Sequence, residues 1–389
     1  MHFARRLGLA FLFALISFAG LVPAASANPL LLVDMETLEV LEAQDAGQPW
    51  HPASLTKLMT AFVVFEQIGL GTVTLDTPVV LSGNAVNQPP SKSGLLVDSA
   101  VSLKDALYIL LVKSANDMAV AVAETVGGSE AEFVTLMNDA ARRMGLSATH
   151  FVNPHGLHHA AQVTSARDLA VLSLYIQQSY PQYGPIFATE EVTVGKHVYE
   201  SQNELLTKFV GTTGMKTGYV CSSGLNIVAT VERNGRRLLA VVLGASSARE
   251  RNERTAELVL RGLSGNAART GQNLLALTNR TGAVPVDMRP MICGARAKDY
   301  VAAQEAAFPM GLDGQPSYLT DAVTAHSYAA VDLGRLRTGI PLPRPRPEHM
   351  PMTIATGVPA EVAEAELRPG LSATPATAGI PFPRPRPNF

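Results

Sequence analysis

Apolar residues recur along this chain with two different periods, and the period changes more than once. Leu30-Leu31-Leu32-Val33-Asp34 and Thr37-Leu38-Glu39-Val40-Leu41 predict two short strands around a tight turn. Leu58, Ala61, Phe62 and Phe65 then fall at helical spacing behind Ser54, which is placed to cap and open that helix. Gly, Pro and short strand-like pieces fill the stretch from Gly69 to Val101. Helices dominate afterwards. Ser102 with Asp105 forms a capping box before an apolar run to Val112, and Lys113-Ser114-Ala115 breaks it. Asn116-Asp117 caps a second helix ending at Gly127-Gly128. Ser129 with Glu132 and Ser165 with Asp168 open two more. Beyond Glu190 the period returns to two, with strands over Val192–Tyr199, Gly224–Val231 and Arg237–Leu243 and a hairpin signal at Asn234-Gly235. A helix from Arg249 to Gly262 closes the pattern. The order predicts an α+β fold: an antiparallel β-sheet built from both chain ends, flanking helices, and an all-helical insert.

Composition narrows the class. The chain has 389 residues, 47% hydrophobic and 16% charged, enough for a large core. A formal charge of −2 supplies no field for a polyanion, so no nucleic acid partner is expected. Arg5-Arg6, the apolar run Leu7 to Leu21 and Ala25-Ser26-Ala27 read as a signal peptide over 1–27, cleaved near Ala27. The mature chain is therefore expected in the periplasm or cell envelope, with no integral membrane span. Residues 28–265 form the main domain and 266–330 a weakly defined extension. Residues 331–389 form a proline- and arginine-rich disordered tail. Twelve of the 26 prolines lie after residue 338, and Gly339-Ile-Pro-Leu-Pro-Arg-Pro-Arg-Pro347 recurs as Gly379-Ile-Pro-Phe-Pro-Arg-Pro-Arg-Pro387. Alternating proline enforces an extended form that feeds no core. Two readings stay open for these repeats: a solvated linker, or a contact with an envelope partner or anionic wall polymer. Cys221 and Cys293 either pair in an oxidising compartment or are two unrelated buried thiols.

Three short motifs carry the chemistry. Ser54-Leu55-Thr56-Lys57 puts a hydroxyl and an amine on one helix face. A serine is a weak nucleophile until a base takes its proton, and a lysine serves once its pKa falls. Ser114-Ala115-Asn116 follows 60 residues after Ser54, and Lys216-Thr217-Gly218, at a glycine-flanked strand start, 102 residues after Ser114. Together they are the S-x-x-K, S-x-N and K-T-G set of penicillin-recognising serine enzymes. With Asn153-Pro-His-Gly-Leu157 and Thr164-Ser-Ala-Arg-Asp168, the stretch from Asn28 to Leu263 resembles the serine-type D-Ala-D-Ala carboxypeptidases, the low-molecular-mass penicillin-binding proteins.

The resemblance implies a hydrolase that removes the terminal D-alanine of a peptidoglycan stem pentapeptide and is blocked by β-lactams. It implies Ser54 as nucleophile, Lys57 as its proton acceptor and Ser114 as a relay to the departing amine. Asn116 would hold the substrate amide; Lys216, Thr217 and Arg251 would bind the terminal carboxylate. Gly218 would let substrate lie along the strand, and the N–H groups of Ser54 and Tyr219 would form the oxyanion hole. Asn153 and His155 read as loop structure. His158-His159 lack a metal-ligand set, and neither metal nor cofactor is expected. A serine β-lactamase shares the motifs, but His150 to His159 holds no Asp or Glu to activate a deacylating water. A catalytically idle peptidoglycan-binding protein is the other alternative. Two departures stand out: Ala115 replaces the usual glycine, and the Pro-Arg end cannot form the family's terminal amphipathic membrane helix.

Overall fold

The structure, a computed structural model, describes residues 28–336 apart from 266, 268, 269 and 325. The expected signal peptide and both Pro-Arg repeats lie outside the described residues. Five strands make the central antiparallel sheet: β1 (Leu30–Asp34), β2 (Val40–Gln44), β7 (Thr212–Val220), β8 (Gly224–Arg233) and β9 (Arg236–Ala245). Their order is β2-β1-β9-β8-β7, so strands from residues 30–44 and 212–245 enter one sheet, and β7 is an edge strand. Successive residues of a strand face opposite sides. Leu31, Val33, Leu239, Val241 and Leu243 join the larger core, whereas Leu32, Leu238, Ala240 and Val242 join a second core with Leu258 and Val259. Both faces are thus buried, which is why these strands read as continuous apolar runs.

The larger core is filled by α1 (Thr56–Gly69), α3 (Asn116–Gly127), α4 (Glu130–Arg143) and α5 (Ala166–Ser179), together with the shorter α2 (Leu103–Tyr108). α6 (Ala248–Leu263) covers the opposite face. The side chains of Ser102, Ser129 and Ser165 accept the N–H groups of Asp105, Glu132 and Asp168, as three capping boxes require. Asn116 is not a cap. Ala115 holds that position without a side-chain bond, and Asn116 is the first residue of α3. Two smaller sheets complete the frame: β3 (Pro78–Val80) with β4 (Ala100–Ser102), and β5 (Thr189–Val194) with β6 (His197–Glu200) and β10 (His326–Ala330). β10 runs parallel to β5. The chain stays bonded to the body beyond residue 330, through Leu333 N–H to Ala100 O and Leu336 N–H to Asp98 O.

The extension after residue 265 includes α7 (Ala297–Ala307) and is bonded to α6 through Arg249 Nη1 to Phe308 O and Ser317 Oγ to Glu253 Oε1. A Cys221–Cys293 disulfide ties it to the β7–β8 turn. Met288 N–H donates to Ser222 O at 3.1 Å beside it. None of the described helices is long and apolar enough to cross a membrane.

Candidate active site

Ser54 lies in a 3-10 turn, Ala53–Leu55, that runs into α1. The expectation that it caps the helix fails: the cap positions are Pro52 for the turn and Leu55 for α1. The turn is held from the sheet. Asn226 of β8 donates Nδ2 to His51 O at 3.1 Å and Pro52 O at 3.4 Å, and accepts Gly244 N–H at 2.9 Å. The loop Asn153–Leu157 holds it from the other side. Gly156 has φ +91°, and a Cβ there would fall 1.8 Å from Ala53 O. Asn153 shapes that loop by accepting Gly156 N–H and donating to Leu157 O.

Lys57 sits one turn after Ser54 and is fully buried. Its Nζ lies 3.1 Å from Ser54 Oγ, 2.7 Å from Asn116 Oδ1 and 2.8 Å from His155 O. Burial first, then the charge of Lys216, pushes its pKa well below 10.5, against a smaller opposing pull from Asp117. A neutral amine has two N–H bonds and one lone pair. As an ammonium Lys57 can donate to all three oxygens; as a neutral amine it can keep its two N–H bonds on the carbonyl oxygens and turn its lone pair to the Ser54 hydroxyl. The lowered pKa favours that proton-accepting form relative to a free lysine.

Ser114 ends a π turn in left-handed conformation, φ 63° and ψ 34°, which separates α2 from α3 and turns the serine toward the cleft. Residues 89–93, within the Gly69–Val101 stretch read as Gly, Pro and short strand-like pieces, fix this corner. Asn116 N–H donates to Ser91 O at 2.7 Å, Asn116 Nδ2 to Pro89 O at 3.0 Å, and Ser91 Oγ to Lys113 O. Asp117 accepts both the N–H and Oγ of Ser93.

Lys216 stands in the middle of β7 and not at a strand start. The flanking glycines do not end the strand; they let it approach its neighbours. A Cβ on Gly214 would meet Phe187 Cβ at 2.9 Å, and one on Gly218 would meet Ser54 N at 2.9 Å. Lys216 is buried, and burial together with the Arg251 charge lowers its pKa to about 7. Its Nζ donates to Thr217 O at 3.1 Å. Arg251 of α6 donates Nη2 to Gln202 O and Nε to Asn252 Oδ1, and burial brings its pKa down to about 10.

These elements enclose a cleft of about 390 Å³ lined by Ser54, Ser114, Asn116, Thr217, Gly218, Tyr219 and Arg251. Lys57 and Lys216 lie beneath it. Pro90, Ser91, Glu200 and Gln202 also line it and carried no motif signal. His155 reaches Lys57 only through its carbonyl; its ring Nδ1 accepts Leu157 N–H. A serine hydroxyl 3.1 Å from a buried lysine of lowered pKa, in a cleft that Arg251 also lines, is equipped for acyl transfer through a serine ester.

That chemistry defines a serine acyl-transfer class, and comparison with known proteins narrows it. Residues 18–247 match the family model for D-alanyl-D-alanine carboxypeptidase, so the chain belongs to that family. It is 35% identical over 264 residues to the D-alanyl-D-alanine carboxypeptidase DacD of Salmonella typhimurium, covering 66% of this chain and 68% of that one. Identity to DacD of Escherichia coli is 36%, covering 63% and 65%, so the aligned part spans about two thirds of these relatives. Penicillin binding protein 6B from Escherichia coli superposes with a TM-score of 0.59 at 35% identity, over 64% of this chain and 80% of that one. Penicillin-binding protein D2 from Listeria monocytogenes, in an ampicillin-bound form, gives 0.54 at 31% identity, over 61% and 97%.

Proposed function

We propose that the protein is a serine D-Ala-D-Ala carboxypeptidase of the cell envelope that acts on peptidoglycan stem pentapeptides and is acylated by β-lactams. The observation that carries this reading is the Ser54–Lys57 contact of 3.1 Å, made by a buried lysine whose pKa is lowered and whose Nζ also reaches Asn116 Oδ1 and His155 O. Ser54 Oγ attacks the carbonyl of the penultimate D-alanine while its proton passes to Lys57 Nζ. The N–H groups of Ser54 and Tyr219 receive the developing oxyanion; losing one such donor typically costs about 10²–10³ in rate. The C–N bond then breaks, Ser114 passes a proton to the departing amine, and D-alanine leaves. Water attacks the ester by the reverse sequence and frees the tetrapeptide. Thr217, Lys216 and Arg251 hold the terminal carboxylate, and Asn116 positions both Lys57 and the substrate amide.

The same reading assigns residues 1–27 to export, 28–265 to catalysis and 266–330 to a supporting extension. Residues 331–336 remain bonded to the body, so the proposed tail begins after them, and its Pro-Arg repeats are assigned to contact with a wall polymer or envelope partner. A disulfide at Cys221–Cys293 fits an oxidising compartment. The test is D-alanine release from a stem pentapeptide, with intact-mass analysis after penicillin. Ser54→Ala is expected to abolish both release and the covalent adduct. Unchanged release by that variant overturns the assignment, and fast nitrocefin turnover by the unmodified protein favours the β-lactamase alternative.

A further inference from the structure

We infer that the Tyr219 side chain, seated on the Cys221–Cys293 disulfide, is a specificity-determining wall of the cleft that contacts the acyl-donor part of the substrate. This rests on the carboxypeptidase reading for the direction in which substrate lies. Side chains two apart on a strand share a face and stand about 6–7 Å apart along it. Thr217 and Tyr219 are such a pair on β7, and both line the cleft. Gly218 between them abuts the backbone of Ser54. A substrate with its carboxylate at Thr217 and its reacting carbonyl at Ser54 must carry its upstream residues past Tyr219. Leu157, Val220 and Leu225 also line the cleft, and Leu225 is the register partner of Tyr219 on β8.

Tyr219 is 50% exposed, a large apolar surface held in one place. Its hydroxyl lies 3.2 Å from Cys293 Sγ and 3.8 Å from Cys221 Sγ. Disulfide sulfurs carry no proton, so the tyrosine hydroxyl is the donor. The disulfide also joins residue 221, two positions along the strand, to the extension at 293. The extension thus reaches the rim of the site and fixes an aromatic ring whose loss of rotamer freedom is already met before substrate arrives.

The experiment compares the unmodified protein with Tyr219→Ala, Tyr219→Phe and the double variant Cys221→Ser/Cys293→Ser. Two substrates are used: a stem pentapeptide and N-acetyl-D-Ala-D-Ala, which has nothing upstream. Tyr219→Ala is expected to lower kcat/KM for the pentapeptide roughly tenfold more than for the dipeptide, the worth of one covered aromatic face. Any effect through the oxyanion N–H of the same residue falls on both substrates alike and cancels in that ratio. Tyr219→Phe and the cysteine variant keep the ring but release it, and fall between. Penicillin acylation gives a readout independent of peptidase activity: Tyr219→Ala slows benzylpenicillin more than 6-aminopenicillanic acid, which lacks the side chain. Equal loss on long and short ligands, or no loss on either, overturns the inference. Side-chain-dependent penicillin acylation without any D-alanine release sustains it and sinks the carboxypeptidase reading instead.

Discussion

The Gly218 Cα faces the backbone nitrogen of Ser54 so closely that a Cβ there would lie 2.9 Å from it, and 3.0 Å from Pro52 O. Both of those atoms are backbone and cannot swing aside. The glycine of the third motif therefore sets the distance between β7 and the nucleophile's turn, which is also the distance between the two proposed oxyanion donors. Gly218→Ala must push the strand away by several tenths of an ångström. The expected result is a fall of about 10²-fold in kcat/KM for D-alanine release, with a cooperative thermal transition retained. Near-normal kcat/KM would show that the gap is not what sets the rate.

Lys57 offers a second test, because its environment distinguishes an amine from a permanent cation. Arginine keeps its charge in proteins and has no lone pair to accept a proton. Lys57→Arg and Lys57→Met are both expected to lower the rate of penicillin acylation by about 10²–10⁴-fold, followed as adduct mass against time. Lys57→Met also leaves Asn116 Oδ1 and His155 O without their donor, so its Tm should fall as well. An arginine variant that acylates at the normal rate would mean that charge and not proton acceptance is the function of this position.

What the sequence disclosed follows the range of the interaction involved. The capping boxes at Ser102, Ser129 and Ser165, and the Asn234-Gly235 turn with φ 55° and 71°, are local, and each stands where its residues predict. The three motifs were legible because their residue types recur in a fixed order. The 3-10 turn at Ser54 was not legible, since it depends on Asn226 and Gly156 pressing on it from distant parts of the chain. Lys216 was expected at a strand start because glycines usually interrupt strands; here they make room for Phe187 and for Ser54. The parallel pairing of β10 with β5 and the Cys221–Cys293 bond join segments whose separation in space no local pattern encodes.

Substrate binding should depend on pH through Lys216. Its pKa of about 7, against 10.5 for a free lysine, leaves it charged in mild acid and neutral in mild alkali. KM for a carboxylate-ended peptide is expected to rise between about pH 6 and about pH 9 and then level where Arg251 carries the contact alone. Lys216→Arg, charged throughout, should flatten that profile even if its KM is higher overall. The stability sign is opposite to the usual salt-bridged lysine: the unfolded chain binds this proton more tightly, so stability rises as pH climbs from about 7 toward 10.5. A KM that stays level in the unmodified protein across neutrality would remove Lys216 from carboxylate binding.

His155 should make the fold sensitive to acid. Burial, and then the charge of Lys57, lowers its pKa from 6.5 to about 3. Between those values the unfolded chain takes up a proton that the native state refuses, so its stabilising contribution is complete above about pH 6.5 and is lost as pH falls toward 3. The ring's structural duty is small: Nδ1 accepts Leu157 N–H at 3.1 Å, while Lys57 is served by the backbone carbonyl. Asparagine can supply an acceptor in the same place without titrating. His155→Asn is therefore expected to lose less Tm than the unmodified protein on going from about pH 6.5 to about pH 4, measured by calorimetry in matched buffers. Lys57 is present in both proteins, so its own titration enters both Tm curves. Parallel Tm curves for the two proteins would assign the acid sensitivity to another group.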